Sequence, residues 1–337
     1  MIGAGPLALR VGALAGLLLV LSGGGPAPER PDVPADSLPT PLERRVPLGA
    51  ESLAAARSAS AAEVALGRRL FFEARLSSDG RVACASCHRP ENAFADDRAR
   101  SRGVDGQETH FNSPSLLNKG LSRDLRWRGG AAGIEEQVLA VLESPVEMGL
   151  GVEGALEFLR GEPSYAAAFV EVYDGPPGAD ELAGAIAAFV RELVVGDSPV
   201  DRFRAGQVGA LSAQEQAGLW LFEGRGGCWR CHSGPNFTDE AFHNTGVGAK
   251  DGVALPGRAA VTGRAADRGA FRTPGLRHLL QSAPYMHDGS QTSLREVVEF
   301  YRRGGGTNGD LDPELRPLDI DDEDVESLVA FLEALSR

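Results

Sequence analysis

The spacing of apolar residues along the chain predicts a mostly α-helical protein. Between residues 180 and 195 apolar side chains recur at helical spacing, on Leu182, Ile186, Phe189, Val190, Leu193 and Val194. Near the end of the chain Asp321 is a predicted N-cap, and the helix after it has an apolar face made of Val325, Leu328, Val329, Leu332 and Leu335. Alternating patterns typical of strands are scarce, so we expect helices joined by long irregular loops.

Two segments share one pattern, which is a Ser-x-x-Glu capping box that opens a helix, then a glycine, then a Leu-Phe pair. The first copy covers residues 60–71 and the second covers residues 212–222, with Gly67 and Gly218 as the glycines. Their likeness indicates a duplicated helical unit, with a linker predicted over 197–204 between the copies. A third capping box, Ser293-x-x-Glu296, predicts a helix with Leu294, Val297, Val298 and Tyr301 on its inner face.

The N-terminus has the pattern of an export signal. Arg10 precedes an apolar run over 11–21, and small residues follow over 22–25, so a signal peptide is predicted over 1–25. The next segment, 26–50, is rich in proline and is predicted to be a tether. A retained single-pass anchor is the alternative, but the apolar run is short for a membrane span. We therefore expect a periplasmic protein with no stable membrane span after processing.

Composition narrows the function classes. The chain has 337 residues, enough for two domains, with 42% hydrophobic and 24% charged residues, as in soluble globular proteins. Its net charge of −13 excludes a nucleic acid partner, which would require a basic surface. An acidic protein of this kind suits small basic redox partners or neutral substrates.

The four cysteines fall in two pentapeptides, Cys84-Ala-Ser-Cys87-His88 and Cys228-Trp-Arg-Cys231-His232. Two thiols at this spacing can bond the two vinyl groups of one haem, and the adjacent histidine can bind its iron. A thioredoxin-like motif would need a βαβ setting, a zinc site would need the distant pairs to converge, and two disulfides would leave both histidines unexplained. The sequence therefore predicts two covalent c-type haems.

Few residues could bind the second axial face of either iron. His110 is the histidine nearest the first motif, and a surface position is expected for it, which leaves the first haem open to a small oxidant. For the second haem the candidates are Met286 and Tyr301. From the residues alone Tyr301 could equally be a core aromatic, and Met286 could be a loop methionine that packs on the porphyrin.

Several motifs in order around the haem pentapeptides resemble one known family. They are NSPSLLN at 112–118, RWRG at 126–129, EQ at 136–137, SPVEMG at 144–149, FRTP at 271–274 and APYMHDG at 283–289. From about 61 to 335 the chain resembles the bacterial dihaem cytochrome c peroxidases and the related MauG-like enzymes. The resemblance implies a mostly α fold of two tandem cytochrome c-like domains with long irregular loops, over 51–200 for the peroxide-reactive haem and 201–337 for the electron-transfer haem.

The same resemblance implies roles for individual residues. Tyr301 stands where the peroxidases have a methionine ligand to the second haem and MauG-like members have tyrosine, so Met286 becomes the lesser candidate. Trp127 matches a tryptophan between the haems. Gln137 and Glu147 match a pair that lines the open face of the first haem.

The resemblance also implies a calcium ion between the domains. Its expected ligands are the side chain of Asn112 and the backbone carbonyls of Ser282 and Pro284. Oxygen ligands of this kind suit calcium.

The sequence departs from the family at two places. A removable distal histidine expected near 103–105 is absent, so the first haem should be open without activation. The surface tryptophan that MauG uses to draw electrons from a protein substrate is replaced by Gly226.

The resulting expectation is an enzyme that reduces hydrogen peroxide at the first haem. Glu147 moves a proton, Gln137 positions the peroxide, and Trp127 passes oxidising equivalents to the second haem. External donors, such as a small periplasmic cytochrome c or cupredoxin, then return electrons. The alternatives are a dihaem electron carrier without peroxidase activity and MauG-like oxidation of side chains in a protein substrate.

Overall fold

A computed structural model describes residues 1, 3, 43–51, 54 and 59–337. The predicted export signal over 1–25 and most of the tether over 26–50 lie outside the described residues. None of the helices in the described part of the chain has the length and apolar character needed to cross a bilayer.

The structure is mostly helical, as expected from the apolar spacing. The α-helices are α1 (Ala61–Phe71), α2 (Cys84–Cys87), α3 (Ile134–Glu143), α4 (Gly151–Gly161), α5 (Pro163–Tyr173), α6 (Ala179–Glu192), α7 (Pro199–Arg204), α8 (Ala213–Glu223), α9 (Ala259–Thr262), α10 (Leu294–Arg302) and α11 (Asp322–Ala334). The strands are β1 (Phe242–His243) and β2 (Phe271–Arg272), which pair antiparallel. Long loops and short 3₁₀ turns join these elements.

Helices α1 and α6 cross at close range in the first half of the chain. A Cβ atom on Gly67 would lie 1.7 Å from the carbonyl oxygen of Ala185, so this crossing tolerates no side chain at that position. Beside the crossing, Phe71, Phe94 and Phe189 form a cluster of three rings, with centroids 5.1 to 6.3 Å apart. This cluster belongs to one hydrophobic core, built from residues between 66 and 193.

Helices α8 and α11 repeat this arrangement in the second half. A Cβ atom on Gly218 would lie 1.9 Å from the carbonyl oxygen of Ser327. Phe222, Phe237 and Phe331 form a second cluster of three rings, with centroids 4.8 to 6.3 Å apart, inside a separate core over residues 200–335. Both the crossing and the aromatic cluster are therefore duplicated.

The predicted capping boxes form with one exception. At α8 the side chains of Ser212 and Glu215 each accept a hydrogen bond from the other residue's backbone N–H, and the box at α10 is equally complete. At α1 only half of the box forms. Ser60 accepts from the Glu63 backbone, but Glu63 Oε1 instead accepts a hydrogen bond from the Tyr173 hydroxyl at 3.1 Å.

The prediction of a linker over 197–204 is wrong, because α7 occupies most of it. Ser198 caps this helix and Pro199 fills its first position, a pair of signals that favours helix initiation. Asp201 is buried and pairs with Arg277 at 2.7 Å, which anchors α7 to the second core. A buried, paired segment of this kind is part of the folded structure.

The short β-ribbon joins the two halves. Arg272 of β2 donates its backbone N–H to the carbonyl oxygen of Trp127 at 2.8 Å. On the other side of this contact Trp127 Nε1 donates to the carbonyl oxygen of Asn112, also at 2.8 Å. The ribbon thereby fixes Trp127 at the junction of the two cores.

Candidate haem sites

The first motif places its two cysteines on α2, a single helical turn. The turn is closed by Ser86, whose hydroxyl accepts the backbone N–H of Ala83 at 3.0 Å. His88 follows directly, and its Nδ1 donates to the carbonyl oxygen of Phe94 at 3.1 Å. This hydrogen bond leaves Nε2 available and fixes the ring orientation, which is the usual support of a metal-binding histidine.

The second motif has the same support in a different local structure. Cys228 begins a 3₁₀ turn over Cys228–Arg230, and His232 Nδ1 donates to the carbonyl oxygen of Phe237 at 3.0 Å. Phe237 has a φ of 53° and Phe94 a φ of 56°, both in the left-handed region. Each phenylalanine therefore anchors its ring in a core cluster and aims its carbonyl at a histidine.

The protonation states of these groups fit covalent haem. None of the four cysteines forms a disulfide, so all four are available to bond haem, and burial raises the pKa of the Cys84 thiol to about 12 and that of the Cys228 thiol to about 11. Burial likewise lowers the pKa of His88 to about 4, so its imidazole is neutral, as an iron ligand must be.

One large cavity lies beside the second motif. Its walls include Cys228, Cys231 and His232, and both Tyr301 and Met286 also line it. Burial raises the pKa of the Tyr301 hydroxyl, and the two cysteines of the motif act on it in the same direction. The phenol is thus neutral in the protein alone, and a cation would be needed to deprotonate it.

Glu147 lies near the first motif, and Arg126 connects it to Gln137. The Glu147 carboxyl is half-buried rather than exposed, and burial raises its pKa. Its charge also raises the pKa of Cys87, which places it near the first attachment site. Arg126 links the pair, because its Nε donates to Gln137 Oε1 at 2.5 Å and its charge acts on Glu147.

Arg126 is a site residue that we did not assign from the sequence, although it stands in the RWRG motif. His110 is exposed, as expected, yet its charge still reaches Glu147. The loop that carries Glu147 depends on Gly103, since a Cβ atom there would lie 1.9 Å from the carbonyl oxygen of Val146. Only glycine permits this contact.

The residues predicted to bind calcium all belong to the wall of the large cavity, as does Trp127. Asn112, Ser282 and Pro284 line the same cavity. Asn112 Nδ2 donates to the carbonyl oxygens of Arg98 and Ala99, at 3.2 and 3.4 Å, so the amide has its oxygen on the opposite side. An amide oxygen and two backbone carbonyls are a donor set that fits calcium.

His243 lies on the wall of the cavity beside the second motif, where it forms a charged group with two carboxylates. Its Nε2 donates to Asp239 at 2.9 Å and its Nδ1 donates to Asp312 at 2.6 Å. Hydrogen bonding to Cys231, Asp312 and Asp239 raises the pKa of His243, and the two carboxylates still favour its imidazolium when Cys231 is bonded to haem. Asp239 is only four residues away, but Asp312 is 69 residues away and reaches His243 through the tertiary fold.

Comparison with known proteins places this geometry in a family. A sequence profile described as di-haem cytochrome c peroxidase matches residues 61–209. The chain is 37% identical over 275 residues to the methylamine utilization protein MauG of Methylorubrum extorquens, covering 81% of this chain and 78% of that protein. It belongs to the di-haem cytochrome c peroxidase/MauG family.

Other members of the family match over similar lengths. The cytochrome-c peroxidase IdrP1 of Denitromonas iodatirespirans is 37% identical over 310 residues, covering 82% of each chain. The crystal structure of a MauG-like protein associated with microbial copper homeostasis superposes with a TM-score of 0.77 at 31% identity, covering 89% of this chain and 94% of that one. As a family member the protein is a haem oxidoreductase that carries two c-type haems.

Proposed function

We propose that the protein reduces hydrogen peroxide at the haem attached to Cys84 and Cys87. The observation that carries the proposal is the half-buried Glu147 carboxyl near that site, whose pKa is raised by burial. A raised pKa brings a carboxyl group closer to the pH at which the enzyme works, which favours its giving and taking protons. Because Glu147 lies near the attachment site of the first haem, its carboxyl group could exchange protons with peroxide bound there.

Each residue of the first site then has a chemical task. His88 would hold the haem iron, which when bound would supply the electrons that break the peroxide O–O bond. Glu147 takes a proton from one peroxide oxygen and returns it to the other, which leaves as water. Gln137 Oε1 is occupied by Arg126, so its Nε2 is the group that can donate to the peroxide. Acid–base help of this type contributes ~10²–10⁴-fold.

Reduction of peroxide to two waters consumes two electrons and two protons. We propose that the electrons come from a small periplasmic cytochrome c or cupredoxin and enter at the second haem, held by His232 and Tyr301. Trp127 is the proposed route between the haems, since its indole and its backbone carbonyl bond to opposite halves of the molecule. The boundary between the two domains is proposed near residue 200, between the two hydrophobic cores.

Oxidation of a partner protein is the less favoured alternative. Gly226 stands where MauG is expected to have its surface tryptophan. A Cβ atom on Gly226 would lie 2.7 Å from the carbonyl oxygen of Leu221, so the backbone here excludes any side chain. The protein therefore lacks that route for electrons from a protein substrate.

The test is Glu147→Gln in the protein with both haems attached. The amide preserves size but cannot shuttle a proton, so stopped-flow mixing with peroxide should show a rate at least ~10²-fold lower, with near-normal haem spectra. Glu171→Gln, an exposed change on α5, is the matched control. A rate within about threefold of the parent would remove Glu147 from the mechanism, and an unreactive parent would instead support the electron-carrier alternative.

A further inference from the structure

Two cations are buried side by side between the haem sites. Lys119 is 8% exposed and Arg272 is 2% exposed, and both line the cavity of the second motif. Basic side chains are almost never fully buried unless an anion accompanies them. Lys119 and Arg272 are therefore expected to have anionic partners.

The protein supplies only part of the partners that Arg272 needs. Its Nη1 donates to Glu240 at 3.3 Å and to the carbonyl oxygen of Thr273 at 3.1 Å. Its Nε is buried without a hydrogen-bond partner in the described part of the chain. An unpaired buried donor costs about 1–3 kcal/mol, and more when the group is charged.

Lys119 has no partner of its own. Among the described residues, none accepts a hydrogen bond or forms an ion pair with its ammonium group. Burial lowers the pKa of Lys119 well below its usual value, and the charge of Arg272 lowers it further. The ammonium group is therefore poorly stabilised by the protein alone.

The neighbouring carboxylates are already in use. Glu240 Oε1 accepts from the Ser122 hydroxyl at 3.0 Å, while its Oε2 accepts from Arg272. Asp124 acts on both cations at longer range, but its oxygens accept the backbone N–H groups of Arg126 and Gly130. One more anionic group in the cavity would give Lys119 and Arg272 the acceptor that Glu240 and Asp124 do not supply.

We propose that Lys119 and Arg272 bind a propionate carboxylate of the haem attached to Cys228 and Cys231. A carboxylate in this cavity would accept from the Lys119 ammonium and pair with the Arg272 guanidinium, since both residues line its wall, and such charge-assisted hydrogen bonds are the strong ones. The proposal concerns haem binding and does not depend on the peroxide chemistry.

A lysine is rare in this chain, which makes Lys119 unusual among its basic residues. Only two of its 34 basic residues are lysines, and the other, Lys250, is exposed. A compact ammonium on a flexible stem can reach an anion without the fixed planar geometry of a guanidinium. Positive charge at a propionate also disfavours the oxidised, more positive iron, so this pair should raise the reduction potential of the second haem.

The experiment uses the protein with both haems attached and compares Lys119→Met, Lys119→Arg and the control Lys250→Met. Redox titration followed by EPR tracks the two haems separately, and resonance Raman follows the propionate bending mode. Lys119→Met should lower the potential of the second haem and shift that mode. Lys119→Arg should largely restore both, and Lys250→Met should change neither.

Unchanged potential and propionate mode in Lys119→Met, at two haems per chain, would overturn the proposal. So would a change confined to the first haem. If Lys119→Met does not attach haem, lysine-selective NMR of the parent protein decides, because only two side chains give signals. The Lys119 signal should shift between the ferric and ferrous states while that of Lys250 stays. Equal behaviour of the two signals would overturn the proposal.

Discussion

Tyr301 and Met286 offer the second iron very different chemistry. A methionine sulfur raises a haem potential, whereas an anionic phenolate stabilises the oxidised iron by its charge. Both side chains line the cavity beside His232, and Tyr301 stands where the MauG-like members are expected to have their tyrosine ligand. Because burial raises the pKa of its phenol, Tyr301 would lose its proton only when a bound cation stabilises the phenolate. Tyr301 is the ligand we propose.

We predict that Tyr301→Phe converts the second haem from low spin to high spin and raises its reduction potential. The helix should survive, because Phe keeps the apolar face that Leu294 and Val298 bury. EPR of the ferric protein is the measurement. Met286→Leu is the matched variant and should leave the second haem low-spin. The opposite outcome, with Tyr301→Phe silent and Met286→Leu high-spin, would assign the methionine.

Individual site residues could be predicted from the sequence where a short motif marks them. The Cys-x-x-Cys-His pentapeptides could be found from their spacing alone, whereas Gln137 and Glu147 were singled out only by the resemblance to the family. Arg126 and Lys119 could not be assigned roles, because an arginine beside a tryptophan or a lysine after an asparagine has no local signature. Their roles depend on burial and on partners far away in the chain.

The two halves of the protein use the same element to build a haem site. In each, the first and last helices cross over a glycine, and a loop phenylalanine packs on rings from both helices. That phenylalanine, Phe94 or Phe237, gives its carbonyl oxygen to the histidine. The helix crossing and the orientation of the iron ligand are thus parts of one packed unit.

We predict that Gly218→Ala destabilises the protein by about 1–3 kcal/mol or more, because overpacking would force α8 and α11 apart. Gly161→Ala, at the end of α4 with no atom within 4 Å of the added Cβ, is the control and should be neutral or slightly stabilising. Guanidinium unfolding followed by circular dichroism compares them. Equal midpoints for the two variants would show that the crossing can relax.

Predictions from the sequence succeeded where an element is encoded locally and failed where distant residues intervene. The helices that follow Ser212, Ser293 and Asp321 begin where their caps indicate. Half of the box at Ser60 is lost because a tyrosine from α5 captures Glu63. The segment over 197–204 folds as a helix because Asp201 finds Arg277, 76 residues further along the chain.

The molecule as a whole is held together around Asn112. Its backbone N–H donates to the carbonyl oxygen of His287 at 2.9 Å, and its carbonyl oxygen accepts from Trp127 at 2.8 Å. His287 stacks on Phe271 at 3.7 Å and meets Trp127 edge to face at 6.4 Å. A calcium ion bound at Asn112, Ser282 and Pro284 would therefore fix the two halves around Trp127.

We predict that calcium stabilises the folded protein and that chelation lowers its thermal unfolding temperature. A ligand at a hundredfold excess over its Kd contributes about 2.7 kcal/mol, and calorimetry in calcium and in chelator measures the difference. Asn112→Ala should lose this response to calcium, whatever its own stability, because it removes the side-chain ligand. Restoring the parent protein with magnesium should fail, since magnesium dehydrates reluctantly and prefers a rigid octahedral site. A calcium response that persists in Asn112→Ala would place the ion elsewhere, and the junction would then rest on its hydrogen bonds alone.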